Sequence, residues 1–131
     1  MQLFLVRHAD ATPGDPDELR SLSEEGRDQA RQLGERLRAE GIEPDVILTS
    51  PLLRARETGA VLARATGSDA EADDRLTPGA TPEAVRGAVA GRGDRVVVVG
   101  HQPDCGRIAA ALTGEEEPSF PPAGMIVIDL P

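Results

Sequence analysis

Arg95-Val96-Val97-Val98-Val99-Gly100-His101-Gln102-Pro103 is the stretch on which the fold turns. Four consecutive valines show no alternation of apolar and polar positions, and β-branched side chains suit a strand covered on both faces. A strand of that kind is central in its sheet. The run stops abruptly at glycine and histidine, which puts His101 just past its carboxyl end.

Working outward, two more short apolar runs end the same way. Residues 1–6 read as a buried strand cut off by Arg7-His8, and residues 46–49 as another, followed by Ser50-Pro51. A short edge strand over 70–74 and a last strand over 125–130 complete the set. Helices fill the intervals. Ser23 is the expected N-cap of a helix over 23–40, with Glu24 and Glu25 at its positive end and Ala30, Leu33 and Leu37 as its apolar stripe. Ser50-Pro51 reads as N-cap followed by proline at the first helical position, opening a second helix with Leu52, Ala55, Gly59 and Leu62 on one side. Thr81-Pro82 repeats that signature before Val85, Ala88 and Val89, and Gly91 closes the third helix. Ile108, Ala111 and Leu112 mark the apolar side of a fourth, ending near Gly114. Residues 9–22 and 115–123, rich in Asp, Glu, Pro and Gly, read as loops.

Strand and helix alternate through five strands, which predicts an α/β fold: a three-layer α/β/α sandwich on a mainly parallel central sheet. At 131 residues the chain makes one domain spanning 1–131. Ligands of open sheets bind beyond the carboxyl ends of the strands. His8, Arg54 and His101 all fall at that edge, and the chain has only two histidines, both placed there.

Composition narrows the function classes. Aromatic residues are 2% of the chain and the net charge is -9, which disfavours nucleic-acid binding by base stacking or by phosphate neutralisation. The lone Cys105 forms no internal disulfide, and neither a basic leader nor a long apolar run is present, so the expected compartment is the cytoplasm, away from the membrane. Cys105 is a candidate nucleophile on residue type, but a small side chain near a helix start is the simpler reading. No GxGxxG or GxxxxGK[ST] run opens a helix, and Gly91-Arg92-Gly93 reads as a turn. Two histidines with Asp10 form a conceivable metal set; the absence of HExxH or CxxC spacing and the nearby arginines argue against it. No cofactor is implied; the sequence leaves the oligomeric state open, and a monomer is compatible with it.

The residues at the strand edge suit phosphoryl chemistry. Arginine donates two parallel charge-assisted hydrogen bonds to phosphate oxygens, and Arg54 stands in the first turn of a helix, where free N–H groups also attract an anion. Arg7 and Arg54 are therefore a candidate clamp for one phosphoryl group. The competing role for Arg54 is an exposed pair with Glu57. A neutral imidazole oriented through its other nitrogen can attack phosphorus, while a protonated one can stabilise the charge of the transferring group.

These residues resemble the histidine phosphatase (phosphoglycerate mutase-like) superfamily. Leu5-Val6-Arg7-His8 resembles its nucleophile motif, Leu22-Ser23 with Gly26 and Gln29-Ala30 the opening of its first helix, Ser50-Pro51-Leu52-Leu53-Arg54-Ala55 with Thr58 its second arginine motif, and Val99-Gly100-His101 its second histidine motif. The resemblance implies His8 as the phosphorylated nucleophile, Arg7 and Arg54 as phosphate ligands, and His101 as a further phosphate ligand stabilising the transferring group. Within the superfamily the short chain and Arg7-His8-Ala9-Asp10-Ala11 look most like the SixA-type phosphohistidine phosphatases.

The sequence departs from the family pattern twice. Gly14 stands where mutase-like members often place an asparagine, and Arg75-Leu76 is followed by Thr77-Pro78 where ester-cleaving members supply a glutamate as proton donor. Asp10, Asp15, Asp17, Asp73 and Asp74 are the carboxylates left for that role, and loop solvation is the simpler reading of each. An alkoxide leaving group depends on such an acid for about 10²–10⁴-fold, whereas the imidazole of phosphohistidine depends on it less. The expected activity is a phosphohydrolase acting through a covalent phosphohistidine at His8, with phosphohistidine on proteins as substrate. The alternatives are a small-molecule phosphomonoesterase of the same superfamily and a non-catalytic phosphate-binding regulatory module.

Overall fold

A computed structural model describes residues 1–131. Five strands, β1 (Gln2–Arg7), β2 (Val46–Thr49), β3 (Ala70–Ala72), β4 (Arg95–Gly100) and β5 (Met125–Asp129), form one sheet in the order β3-β2-β4-β1-β5. All neighbours pair in parallel except β1 with β5. Helices α1 (Glu24–Ala39) and α2 (Leu53–Thr66) cover one face, and α3 (Pro82–Val89) and α4 (Asp104–Thr113) the other. The valine strand lies in the middle of the sheet. Val96 and Val98 enter the core under α3 and α4, whereas Val97 and Val99 enter the core under α1 and α2, which is why the run has no polar position. No helix is long and apolar enough to cross a membrane.

Local signals place most helix ends. The Ser23 side chain accepts the Gly26 N–H and the Thr81 side chain the Ala84 N–H, each satisfying a donor that the helix cannot, worth about 1 kcal/mol. Ser50-Pro51 is a correction. Helix α2 starts at Leu53, its capping residue is Leu52, and no side chain caps it. Ser50, just past the end of β2, is tied back to the sheet edge by its N–H, which donates to Val99 O, and its hydroxyl faces the site described below. Leu52 is accordingly half-buried ahead of the helix. On α4 the buried side is Cys105, Ile108 and Ala109, with Leu112 packing beside them; Ala111 faces outward, one position off that stripe. The segment 9–22 is more ordered than a bare loop, holding a 3-10 turn over Asp17–Leu19 and a bridge between Ala11 and Leu22.

Gly26 fixes how α1 meets the segment after β1. A Cβ there would lie 1.9 Å from the carbonyl oxygen of Asp10, so only glycine lets the first turn of α1 sit against that backbone. The contact ties α1 to the residues that follow His8.

Candidate active site

Strand order and register bring the two histidines together. β1 and β4 are adjacent, Arg7 is level with Gly100, and the His8 N–H donates to Gly100 O at 3.0 Å. His8 and His101 thus leave parallel neighbouring strands at the same level, and their rings stand edge to face with centroids 5.1 Å apart. β2 lies on the far side of β4 and delivers Ser50 next to His101.

His8 is held through one nitrogen. Its Nδ1 lies 2.7 Å from Ala9 O, and because a carbonyl only accepts, the neutral ring carries its proton on Nδ1 and leaves the Nε2 lone pair free. The backbone beneath is fixed in turn: the Ala9 N–H donates to Thr58 Oγ1, whose hydroxyl donates to Arg54 O, and the Asp10 N–H donates to Gln29 Oε1. Burial lowers the His8 pKa below 6.5, against the Ala9 hydrogen bond, and the charges of Arg54, Arg7 and Arg20 lower it further.

Arg54 is buried and does not pair with Glu57. Its Nη1 donates to Asp17 O at 2.9 Å and its Nη2 to the Asp17 carboxylate at 3.1 Å, locking the 3-10 turn onto the guanidinium. Glu57 instead accepts the Leu22 N–H at 2.8 Å. Asp17 also receives Arg20, and these two arginine hydrogen bonds, Arg20's the larger, hold its pKa below the usual carboxylate range. Asp17 is therefore an anion at neutral pH, the wrong state for a proton donor. Arg7 donates from Nη1 to Phe120 O at 2.9 Å. Phe120 is buried and belongs to the proline-rich 115–123 connection, so that segment is a wall of the site.

His101 is buried, with Nε2 2.7 Å from Ser50 Oγ. Burial first, then the neighbouring His8 and Arg54, pushes its pKa down to about 3, so at neutral pH it is uncharged beside the other ring. The sequence reading considered a protonated His101; here the Asp17 charge alone favours the imidazolium, and burial outweighs it. Cys105 is a buried core residue whose thiol burial raises to about 12, which removes it as a nucleophile. Asp104, which the sequence did not single out, is buried and accepts the Gly79 N–H at 2.8 Å, pinning the Thr77-Pro78-Gly79 loop. No group of three or more His, Cys, Asp and Glu side chains is placed to hold a metal ion.

The neutral state of His101 makes stability pH-dependent. An unfolded histidine titrates near 6.5 and the folded His101 near 3, so protons favour the unfolded chain between those values. The stability it contributes is complete above pH 6.5 and falls as pH drops, by up to about 1.4 kcal/mol per pH unit. Urea unfolding between pH 7 and 4.5 should show a shallower pH dependence for His101→Gln than for wild type; identical slopes would contradict the assignment.

A mainly parallel sheet with two arginines and two histidines at one edge is an arrangement suited to phosphoryl chemistry, and this chain belongs to the histidine phosphatase superfamily (branch 1), whose profile matches residues 3–78. It is a phosphatase of that superfamily. Phosphohistidine phosphatase SixA of Escherichia coli is 31% identical over 138 residues, covering 99% of this chain and 86% of that protein. The structure of the protein histidine phosphatase SixA complexed with tungstate superposes with a TM-score of 0.90 at 30% identity, covering 99% of this chain and 88% of that one. A mycobacterial glucosyl-3-phosphoglycerate phosphatase shares the fold at a TM-score of 0.72 and 22% identity, over 96% of this chain and 88% of its own.

Proposed function

We propose that this phosphatase removes phosphate from phosphohistidine on proteins of the phosphocarrier or phosphorelay type, through a phosphorylated His8, in the cytoplasm. The observation that carries the reading is the state of His8: neutral, protonated on Nδ1 by its bond to Ala9 O, with Nε2 free to attack. Nε2 forms the new bond to phosphorus as the bond to the substrate imidazole breaks. Water then cleaves the His8 phosphoramidate, releasing inorganic phosphate and restoring the ring.

Two buried polar atoms in the cluster, Arg7 Nε and His101 Nδ1, have no hydrogen-bond partner. Buried donors left unpaired are costly, and a phosphoryl group supplies acceptors for them. Arg7, Arg54 and His101 are the groups we assign to its oxygens. The Ser50 hydroxyl accepts the Leu52 N–H at 3.2 Å and can donate its own proton to His101 Nε2, which places the imidazole proton on Nδ1 as a neutral donor.

The substrate class rests on the carboxylates. Asp17 is held by Arg20 and Arg54, Asp10 accepts the Ser23 hydroxyl, Asp73 is paired with Arg75, and Asp104 holds Gly79. A leaving group that needs little help from an acid suits such a site, and the imidazole of phosphohistidine is one. The test compares kcat/KM on a phosphohistidine-bearing phosphocarrier with that on small phosphomonoesters. The carrier should be turned over faster; preference for the monoesters would overturn the substrate assignment.

A further inference from the structure

We propose that the groove between α1 and α2 is the surface on which the enzyme docks a helix of its protein substrate, an acidic amphipathic helix with an apolar ridge. This rests on the protein-phosphohistidine reading above. The groove encloses about 520 Å³ and has an apolar floor of Leu22, Ala60, Val61 and Ala65. Each helix follows the carboxyl end of a strand in the parallel sheet, so both begin at the histidine edge and run away from it side by side. The groove therefore starts at the site. Its near end is the Leu22–Glu57 hydrogen bond, and Glu57 is one turn along α2 from Arg54.

Shape favours a helix as occupant. Gly34 lets the two helices pack closely, since a Cβ there would lie 2.8 Å from the Ala65 Cβ, and the side chains that rise from both helices on either side of the apolar floor bound a trough. From Glu57 to Ala65 the trough runs about 12 Å, or roughly two turns of an opposing helix. Seating an apolar ridge between two helices is the ordinary helix-in-groove mode.

Charge selects the kind of helix. Of the rim carboxylates, Glu57 is spent on Leu22 N–H and Glu35 on Arg38, and of the rim arginines Arg31 is paired with Asp28. Arg27 on α1 and Arg64 on α2 face solvent with no carboxylate partner. On a chain of net charge -9, two unpaired guanidiniums flanking an apolar trough complement an acidic partner that the rest of the surface repels.

The test uses full-length enzyme and a phosphotransfer domain phosphorylated on a histidine of one of its helices, with free phosphohistidine and p-nitrophenyl phosphate alongside. The double variant Arg27→Glu/Arg64→Glu should raise KM for the protein at least tenfold with kcat preserved, and leave both small substrates within twofold. Ala60→Arg, which keeps the positive charge but blocks the floor, should do the same. Arg107→Glu on the opposite face should change nothing. Wild type favouring the protein over free phosphohistidine, with both groove variants retaining that preference, would overturn the docking surface alone. Wild type without such a preference would overturn the protein-substrate reading and the docking role with it. A dimer in sedimentation that the double variant dissociates would assign the groove to a second copy of this chain instead.

Discussion

His8→Ala is expected to form no phosphoenzyme and to lose turnover of an activated phosphate ester by about four orders of magnitude or more, the scale on which a covalent nucleophile is missed. In wild type, rapid mixing with the ester should give a burst whose product is stable to alkali and labile to acid, as a phosphorus–nitrogen bond requires. The variant should still fold. The His8 ring is held at Nδ1 by one carbonyl, and burial disfavours its charged form, so its loss should weaken the chain least at mildly acidic pH. Loss of activity in a folded protein separates chemistry from structure. Comparable turnover in the two proteins would remove the covalent mechanism, whatever the substrate.

Arg54→Ala should lower kcat/KM by about 10²–10³-fold, the usual loss when one donor to a developing anion is deleted. Arg54→Lys should recover only part of it. Lysine restores the charge but not the planar fork that reaches Asp17 O and the Asp17 carboxylate with two nitrogens. Asp17→Asn supplies the contrast, because it keeps the backbone acceptor and a side-chain oxygen for Arg54. Its kcat/KM should stay within tenfold of wild type. Steady-state kinetics on an activated ester, with competitive inhibition by vanadate as a measure of oxyanion affinity, ranks the three. Full recovery by lysine would show that charge alone matters at this position and that the fork geometry does not.

The site's hardest feature to read from sequence was its state of protonation. Two histidines at strand ends announce phosphoryl chemistry, but the pKa of about 3 at His101 comes from burial and from a second ring beside it, neither of which is a sequence pattern. Ser50 shows the same limit in another form. Serine before proline at a strand end reads as a helix cap; here its N–H bonds to β4 at the sheet edge and its hydroxyl meets His101 instead. A signal was present for Thr58, a threonine one turn after Arg54, yet its bond to the Ala9 N–H spans the distance from residue 9 to residue 58 and needed the fold. Asp17 lay in plain view as a loop acid, and only the approach of Arg54 shows it to be a fixed anion.

By itself the sequence determined the layers, the central place of the valine strand and the edge at which Arg7, His8, Arg54 and His101 gather. Those follow from apolar run length, β-branching, capping residues and the alternation of strand with helix, all of which act within a few neighbouring residues. Tertiary structure decided the rest: which strands are adjacent, the register that sets Arg7 level with Gly100, the clasp of Asp17 on Arg54 and the trough between α1 and α2. Each of these joins segments far apart in the chain, and their energies arise from burial and hydrogen bonds that exist only once both partners are in place.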